Sequence, residues 1–230
     1  MQKTNRGLAE WARDWLGSAY WYGCVCYRCS EELLARKARQ YPRHYTEARM
    51  PRYRADIAAG RRATDCIGLA KGYMWWDEER SRAGYEANGC TDSSADGMYE
   101  AATVKGGMAD LPETPGIMLW KPGHAGVYMG GGRAIEARGF DYGVVETALG
   151  ERGWQAWYQL PGCAYSGAQS GALRVTAGAL NVRRGPGVGY AVLGVAHRGD
   201  VLRPAPGGWL PVEYGGEPGW VSARYVEAVE

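Results

Sequence analysis

The spacing of apolar and polar positions changes along the chain from helical to strand-like. Apolar side chains recur at helical spacing in residues 8–16 and 31–39, and again in residues 65–76. From residue 116 onward the pattern changes to short apolar runs that predict strands. Helices followed by strands are typical of an α+β fold rather than of alternating βαβ units. The strands predicted in this way cover residues 116–120, 124–129 and 133–137.

The C-terminal part of the chain has a different pattern and predicts a second domain. Residues 166–172 form a short Gly/Ser/Ala stretch without periodicity, which is typical of a flexible linker. Between residues 173 and 230, short apolar runs are interrupted regularly by Gly and Pro, as in a small all-β barrel. The sequence therefore predicts a domain over residues 1–165, a linker, and a β domain over residues 173–230.

Composition and charge exclude several classes of protein. The chain has 230 residues, 46% of them hydrophobic, which is enough to bury a core and excludes a disordered protein. No stretch approaches about 18 consecutive apolar residues, so we expect no membrane partner. The net charge of +2 argues against a nucleic-acid partner. The N-terminus lacks an apolar signal region, so we predict no secretory signal and expect a monomer that needs no membrane.

The six cysteines do not have the spacing of a disulfide framework. Cys24, Cys26 and Cys29 crowd together, but a fourth ligand at zinc-site spacing is missing, so we expect no metal. A redox pair of Cys26 and Cys29 is the other alternative, although the pair does not open a helix after a strand. Packing as small buried side chains is the simpler interpretation, and the role of the cluster stays open.

Residues 31–64 are markedly basic, with nine Arg or Lys against four Asp or Glu. Such a segment is usually a solvated face of the protein. A rim that attracts an acidic polymer is the functional alternative. His44 lies in this segment and His197 lies in the β domain, and we expect both imidazoles at the surface. Asp96 and Asp141 are expected in loops, with a role in turns.

Cys66 is the candidate nucleophile. It lies in the predicted first turn of the helix over residues 65–76, with Thr64 or Asp65 as N-cap. Unpaired N–H groups and the helix dipole at such a position favour a thiolate and lower the pKa of a cysteine. A cysteine at a helix start is nevertheless more often a packing residue, so Cys66 needs a partner base to become a catalytic candidate.

His124 and Glu136 supply that base and a carboxylate to orient it. His124 opens a predicted strand, and three glycines separate this strand from the one that carries Glu136, which predicts a β-hairpin. If the turn centres on Gly130, the two side chains face each other, whereas a shift of one residue leaves them diagonal neighbours. A carboxylate there can fix the imidazole tautomer. A surface His–Glu pair is the alternative. With Cys66, the pair makes up a cysteine-nucleophile site.

The same residues carry a resemblance to a known family. In order and spacing, the segments around the cysteine, the histidine and the carboxylate resemble the NlpC/P60 family of cell-wall cysteine peptidases, in particular the branch common in phages and prophages of Gram-positive bacteria. An upstream segment resembles the tyrosine-containing segment of the family, and the whole resemblance extends from about residue 8 to residue 165. The matching segments are Gly17-Ser-Ala-Tyr20-Trp-Tyr22-Gly23, Asp65-Cys66-Ile-Gly-Leu, Gly123-His124-Ala-Gly-Val-Tyr-Met-Gly130 and Ile135-Glu136-Ala137.

The resemblance implies a papain-like α+β fold with Cys66 as nucleophile and His124 as general base. It places Tyr20 at the site as a donor near the oxyanion, and Asp65 beside it, although capping the helix is the simpler role of Asp65. It requires no cofactor. The chain departs from the family at Ile67, where serine is usual, and at Glu136, where the third polar group is more often histidine.

The last domain resembles a bacterial SH3-type domain over residues 173–228. Such domains are usually wall-targeting modules, which implies bacterial peptidoglycan as the partner. Trp209, Trp220 and Tyr225 are candidates for wall binding, with a place in the domain core as the simpler interpretation. The motifs that carry this resemblance are Ala179-Leu-Asn-Val-Arg-Arg-Gly-Pro186, Gly199-Asp-Val, Trp209-Leu-Pro-Val and Gly219-Trp-Val-Ser-Ala-Arg-Tyr225-Val.

Together these features predict a peptidoglycan hydrolase that acts on the cell wall, in the manner of an endolysin. The resemblance implies cleavage between D-γ-glutamyl and a diamino acid through a cysteine thioester. Without a secretory signal, such a lysin would reach the wall with help from another protein. An N-acetylmuramoyl-L-alanine amidase or a transpeptidase with the same Cys/His site is the first alternative, and a non-catalytic wall-binding protein is the second.

Overall fold

The chain divides into two units, which are described separately. The structure is a computed structural model, and it describes residues 2–77, 82–165, 172–184, 188–202, 209–215, 217–222 and 226–229. The first unit contains Met1–Pro112 and Gly116–Tyr165, and the second contains Glu113–Pro115 and Ser166–Glu230. No helix in these described ranges is long and apolar enough to cross a membrane.

The first unit begins with helices, as the sequence predicts. The predicted helices over residues 8–16 and 31–39 are confirmed. The hydroxyl groups of Thr4 and Ser30 cap the first and the second helix, and each accepts a backbone N–H of the first turn. The described helices of the unit are α1 (Asn5–Asp14), α2 (Glu31–Gln40), α3 (Met50–Ala58), α4 (Gly68–Trp75) and α5 (Ala95–Ala101).

The strands that follow form an antiparallel sheet of six strands. All three predicted strands belong to it, which confirms an α+β fold. The described strands of the first unit are β1 (Ala19–Tyr20), β2 (Tyr27–Arg28), β3 (Arg62–Thr64), β4 (Trp76–Asp77), β5 (Arg82–Ala83), β6 (Lys105–Gly107), β7 (Met118–Lys121), β8 (His124–Gly130), β9 (Arg133–Gly139), β10 (Gly143–Ala148) and β11 (Ala156–Tyr158). The order in the sheet is β10-β9-β8-β7-β11-β6.

Helix α4 is the central helix of the unit, and all eight of its residues are buried. It packs in one apolar cluster with α1 and the middle strands of the sheet, through side chains such as Leu8, Met74, Val127 and Ile135. Burial on every side explains why α4 is apolar except for Lys71, whose ammonium pairs with Asp92 at 2.6 Å. The helix that follows the candidate nucleophile is thus held firmly against the sheet.

The start of α4 differs from the prediction, which placed Cys66 in its first turn. The helix begins at Gly68, and the two residues before it form a turn. A close approach of the chain requires glycine at this first position, because a Cβ at Gly68 would lie 2.1 Å from the carbonyl oxygen of Cys24. The Asp65 carboxylate accepts the Gly68 N–H at 2.6 Å and so caps this start.

The second unit is all β, as predicted. Its two antiparallel sheets, ordered β15-β12-β18 and β14-β13-β17-β16, share a cluster of buried aliphatic side chains that includes Val182, Leu202 and Val221. The strands are β12 (Ala172–Val175), β13 (Ala179–Arg183), β14 (Val192–His197), β15 (Val201–Leu202), β16 (Trp209–Tyr214), β17 (Glu217–Ser222) and β18 (Val226–Val229). The first strand takes the last residue of the predicted linker, whose other residues lie outside the described ranges.

Candidate active site

Cys66 lies in the turn between β3 and α4, with its thiol against backbone N–H groups. The backbone N–H groups of Ala125, Ile67 and Cys66 itself lower the pKa of the thiol. Burial, and then the neighbouring Asp65 carboxylate, outweigh these N–H groups and raise the pKa of the Cys66 thiol to about 12. The expectation of a favoured thiolate is therefore wrong for the protein without substrate, because desolvation of the half-buried thiol and the Asp65 carboxylate outweigh the N–H groups of the turn.

His124 and Glu136 share one face of the β8–β9 hairpin as diagonal neighbours, which is the arrangement expected for a turn shifted by one residue. Val127 pairs with Ile135, and a bulge next to the turn sets this register. Continued along the strands, the pairing puts Glu136 across from Gly126. Because residues two apart on a strand share a face, Glu136 reaches His124 diagonally. The distance from His124 Nε2 to Glu136 Oε2 is 2.7 Å.

Glu136 is fully buried and has partners on both carboxylate oxygens. Oε1 accepts from the Thr147 hydroxyl at 2.8 Å and from Arg152 Nε, and Oε2 accepts from Arg152 Nη2 at 2.9 Å. Burial alone would raise the pKa of Glu136, but hydrogen bonds from His124, Arg152 and Thr147 together lower it to about 2. The carboxylate therefore stays ionised and is a pure acceptor at neutral pH.

An aromatic ring holds the other side of the imidazole. Trp154 stacks on His124 with 5.5 Å between ring centroids and 12° between planes, and the Lys121 ammonium lies 5.3 Å from the centroid of the same indole. Gly126 makes room for this arrangement. A Cβ there would lie 2.8 Å from the Trp154 ring and 3.4 Å from the Glu136 Cβ.

The turn before β8 is anchored from helix α5. Asp96 lies in the first turn of α5, where its Oδ1 accepts the Gly123 N–H at 2.8 Å and the Trp120 indole N–H at 2.9 Å. The expected loop position of Asp96 is wrong, but its bond to Gly123 is the kind of turn contact that was expected of it. Since Gly123 precedes His124, Asp96 fixes the start of the strand that carries the imidazole.

Tyr20 and Asp65 flank the cysteine. Tyr20 lies in β1 and pairs with Thr64 of β3, two residues before Cys66. Burial, and then the charges of Cys66 and Asp65, raise the pKa of the Tyr20 hydroxyl, which therefore keeps its proton. Asp65 is buried, and its Oδ2 accepts the Gly23 N–H at 2.9 Å while Oδ1 caps α4. Asp65 thus ties the tyrosine-containing segment to the turn of the nucleophile.

The upstream cysteines pack around the residues that precede and begin α4, where the Cys24 carbonyl accepts the Asp65 N–H at 2.9 Å. Cys24 and Cys29 are buried, with the Cys24 sulfur 4.0 Å from the Tyr45 hydroxyl. Cys26 lies against α4, 3.6 Å from the Gly68 carbonyl oxygen. Within the described ranges, no group of three or more His, Cys, Asp or Glu side chains has a geometry that could hold a metal ion.

The remaining candidates divide between surface and undescribed positions. Most side chains of the basic segment over residues 31–64 are exposed, as on a solvated face, although Lys37 is buried and donates to the Gly23 carbonyl. His44 is half-buried and stacks on the Tyr22 ring, at 3.6 Å between centroids, so its expected exposure holds only in part. His197 is exposed on β14.

The candidates for wall binding fall mostly outside the described residues. Trp209 opens β16 and Trp220 lies in β17, opposite Pro211, but their side chains are outside the described part of the chain. Tyr225 lies wholly outside it. Their role therefore stays a prediction.

Three residues of the site were not predicted from the sequence: Thr147, Arg152 and Trp154. Thr147 lies on β10, and the other two follow that strand, so each is close to Glu136 only because β10 pairs with β9. The sequence does contain a signal in hindsight, since Arg152 and Trp154 bracket Gly153, where the chain turns after β10 and before β11. That signal does not say which carboxylate an arginine would contact.

Comparisons with known proteins give one family match and several similar solved structures. Residues 178–227 match the family model of the bacterial SH3 domain. A comparison of the sequence with curated proteins finds no match. Among solved structures, the NlpC/p60 domain of the peptidoglycan hydrolase SagA is 13% identical over 68% of this chain and 99% of that chain, with a TM-score of 0.39.

A second solved protein, Ly7917, aligns with almost the full chain. Its structure is 16% identical over 98% of this chain and 97% of that chain, with a TM-score of 0.31. Its structure with the hydrolyzing product of MDP is 15% identical over 98% of each chain, with a TM-score of 0.30. The match to the family model confirms the resemblance of the C-terminal domain to bacterial SH3 domains over residues 178–227. The SagA structure is a domain of the family that the N-terminal domain resembles.

Proposed function

We propose that the protein is a peptidoglycan hydrolase that cleaves a stem-peptide amide, with Cys66 as nucleophile and His124 as general base. One observation carries the proposal: a histidine held by a buried carboxylate, on a strand that starts beside the turn of Cys66. The N–H of Ala125, the residue after His124, lowers the pKa of the Cys66 thiol, and Nε2 of His124 is held 2.7 Å from a fully buried carboxylate oxygen of Glu136. The motif resemblance to NlpC/P60 peptidases supports the same assignment.

The protonation of His124 follows from its partner. An ionised carboxylate only accepts hydrogen bonds, so Nε2 carries the hydrogen and Nδ1 of the neutral ring keeps a lone pair. Nδ1 takes the proton of Cys66 as the sulfur attacks the carbonyl carbon of the substrate. Because the pKa of the free thiol is about 12, the proton leaves sulfur together with the attack rather than before it.

The negative charge that develops on the carbonyl oxygen needs donors. We assign this role to the backbone N–H of Cys66 and to the Tyr20 hydroxyl, which stays protonated because burial raises the pKa of Tyr20. The imidazolium of His124 then protonates the leaving amine, the C–N bond breaks, and a thioester remains on sulfur. Water attacks the thioester with His124 again as base, which releases a carboxylic acid and restores the thiol.

The substrate and the place of action follow from the two resemblances. The NlpC/P60 motifs favour the amide between D-γ-glutamyl and a diamino acid of the stem peptide. The bacterial SH3 domain at residues 178–227 suits binding to the wall, which would keep the hydrolase on its insoluble substrate. The protein would then act at the bacterial cell wall in the manner of an endolysin.

Digestion of purified Gram-positive peptidoglycan tests the proposal. The wild type, Cys66→Ser and the control Cys163→Ser are each incubated with the wall, and soluble products are analysed by mass spectrometry. Cys163 is also a free and half-buried cysteine, so it controls for the loss of a thiol. We expect new fragments from the wild type and Cys163→Ser but none from Cys66→Ser.

The fragment masses identify the bond and separate the alternatives. Peptides that end in D-glutamate indicate the proposed endopeptidase. Stem peptides freed intact from the glycan indicate an amidase, and new cross-linked species indicate a transpeptidase. No fragments from any of the three proteins, across several wall types, would contradict a hydrolase and leave a wall-binding protein.

A further inference from the structure

The carboxylate beside His124 is shared with an arginine in a paired geometry. Arg152 contacts Glu136 through two nitrogens, Nε on one carboxylate oxygen and Nη2 on the other, the second bond at 2.9 Å. The arginine side chain is only 17% exposed and the carboxylate is fully buried. Such a two-point contact fixes the plane of the carboxylate as well as its charge.

This contact determines the direction of the bond to the imidazole. Arg152 and Thr147 together occupy Oε1, and Arg152 also touches Oε2, so the remaining acceptor direction of Oε2 points to His124 Nε2 at 2.7 Å. A carboxylate held at one oxygen alone can rotate about its terminal bond, since that torsion is soft. The arginine therefore removes the rotation that would let Glu136 turn away from the ring.

The charge of Arg152 also matters to the imidazole. Without it, a buried anion would stand next to His124 and favour the protonated ring, which has no lone pair to accept the thiol proton. With it, the charge of the carboxylate is balanced, which weakens the field that would favour a protonated ring. Arg152 thus offsets the charge of a carboxylate that stands where the family more often has histidine.

Other charged groups surround the pair but do not replace the arginine. Lys121 on β7 donates to the Arg152 carbonyl oxygen at 2.7 Å and lies within electrostatic range of Glu136. Arg138 of β9 also lies within range of Lys121, and Tyr142 beyond that strand is within range of Arg152. None of these groups makes the two-point contact.

We propose that Arg152 is a positioning residue of the active site, which clamps the Glu136 carboxylate so that His124 is oriented through Nε2 and remains a neutral base. The inference rests on the proposed function for its catalytic consequence, but not for its effect on the imidazole. Its test therefore uses two independent readouts, the pH profile of hydrolysis and the NMR titration of His124.

The variants separate charge, geometry and folding. Arg152→Met removes both the charge and the two-point contact, whereas Arg152→Lys keeps the charge and loses the contact. The double variant Arg152→Met with Glu136→Gln removes both charges and leaves no unpaired buried charge. It therefore serves as the folded variant if Arg152→Met alone does not fold. Arg133→Met is the matched control, because Arg133 pairs with Glu146 at 2.8 Å on the same sheet but is 48% exposed.

In the NMR titration, we expect the protonation midpoint of His124 to rise by about 1 pH unit in Arg152→Met. In Arg133→Met the midpoint of His124 should stay within about 0.3 pH unit of the wild-type value, because solvent screens the charge that is lost. The double variant should return the midpoint toward that of the wild type. The ¹⁵N shifts of the neutral ring should report Nε2–H in the wild type and a mixture of tautomers in both Arg152 variants.

In the hydrolysis assay, we expect the acid limb of kcat/KM to move to higher pH by about the same 1 unit in Arg152→Met, with partial recovery in Arg152→Lys. A folded Arg152→Met with an unchanged His124 midpoint and tautomer overturns the inference. If Arg152→Met does not fold, an unchanged tautomer in Arg152→Lys overturns it, as does a midpoint in the double variant that differs from the wild-type value by 1 unit or more, roughly. A wild type that titrates as expected but hydrolyses nothing contradicts the proposed function and leaves the arginine clamp standing.

Discussion

Replacing Glu136 by glutamine tests how much the buried carboxylate contributes to the stability of the first unit. The pKa of Glu136 is lowered from its ordinary value of 4.5 to about 2 in the folded protein. At about 1.4 kcal/mol per pH unit, this difference corresponds to about 3 kcal/mol of stability at neutral pH. We expect Glu136→Gln to lose about this amount at pH 7, because the Arg152 guanidinium is left buried without its counter-charge.

The sign of the pH dependence follows from the lowered pKa. A carboxylate with a lowered pKa stabilises the fold fully above pH 4.5, and this contribution is lost as the pH falls toward 2. The difference between the wild type and Glu136→Gln should therefore be about 3 kcal/mol at pH 7, about half of that at pH 3, and close to zero at pH 2.

Urea unfolding followed by tryptophan fluorescence at several pH values measures this difference. Eight of the ten tryptophans precede residue 165, so the signal reports mainly on the first unit. Glu146→Gln is the control, since Glu146 pairs with Arg133 at the surface and should cost less than about 1 kcal/mol. A loss below about 1 kcal/mol in Glu136→Gln at pH 7, or one that does not change with pH, would refute the reasoning.

Three further predictions concern the groups around the nucleophile. Alkylation of Cys66 by iodoacetamide, followed by peptide mass spectrometry, should accelerate steadily from pH 7 to pH 10, because burial raises the pKa of the thiol to about 12; a plateau near pH 7 would contradict this. Asp96→Ala should cost about 1 kcal/mol in urea unfolding and lower kcat more than it changes KM, with recovery in Asp96→Asn. Gly68→Val should lower the free energy of unfolding by about 3 kcal/mol or more, because its Cβ would lie 2.1 Å from the Cys24 carbonyl oxygen. Gly97→Ala is the control, and its thermal midpoint should not fall, since the nearest atom to a Cβ at that position is 3.4 Å away.

Local patterns predicted most of the elements that carry the site. The helix over residues 31–39 and the three strands after residue 116 are present almost as expected, because each has a clear apolar period and a glycine or capping residue at its end. The pairing of His124 with Glu136 on one face also follows from local information, because the period of a strand is two and both residues lie in one hairpin.

Long-range contacts account for what could not be predicted. The β8–β9 bulge, which shifts the hairpin register, depends on packing that no local pattern records. Arg152 reaches Glu136 only because β10 returns beside β9. The high pKa of Cys66 likewise arises from burial of a turn that looks, in the sequence, like an open helix start.

Trapping the acyl-enzyme tests the central claim most directly. The protein is mixed with a soluble stem peptide that contains D-γ-glutamyl–diamino acid, quenched in acid within milliseconds to seconds, and digested for mass spectrometry. The account predicts an acyl group of the substrate's glutamyl half on the peptide that contains Cys66, absent from the Cys66→Ser variant. Product formation without any adduct on Cys66, or with hydrolysis undiminished in Cys66→Ser, would contradict the account.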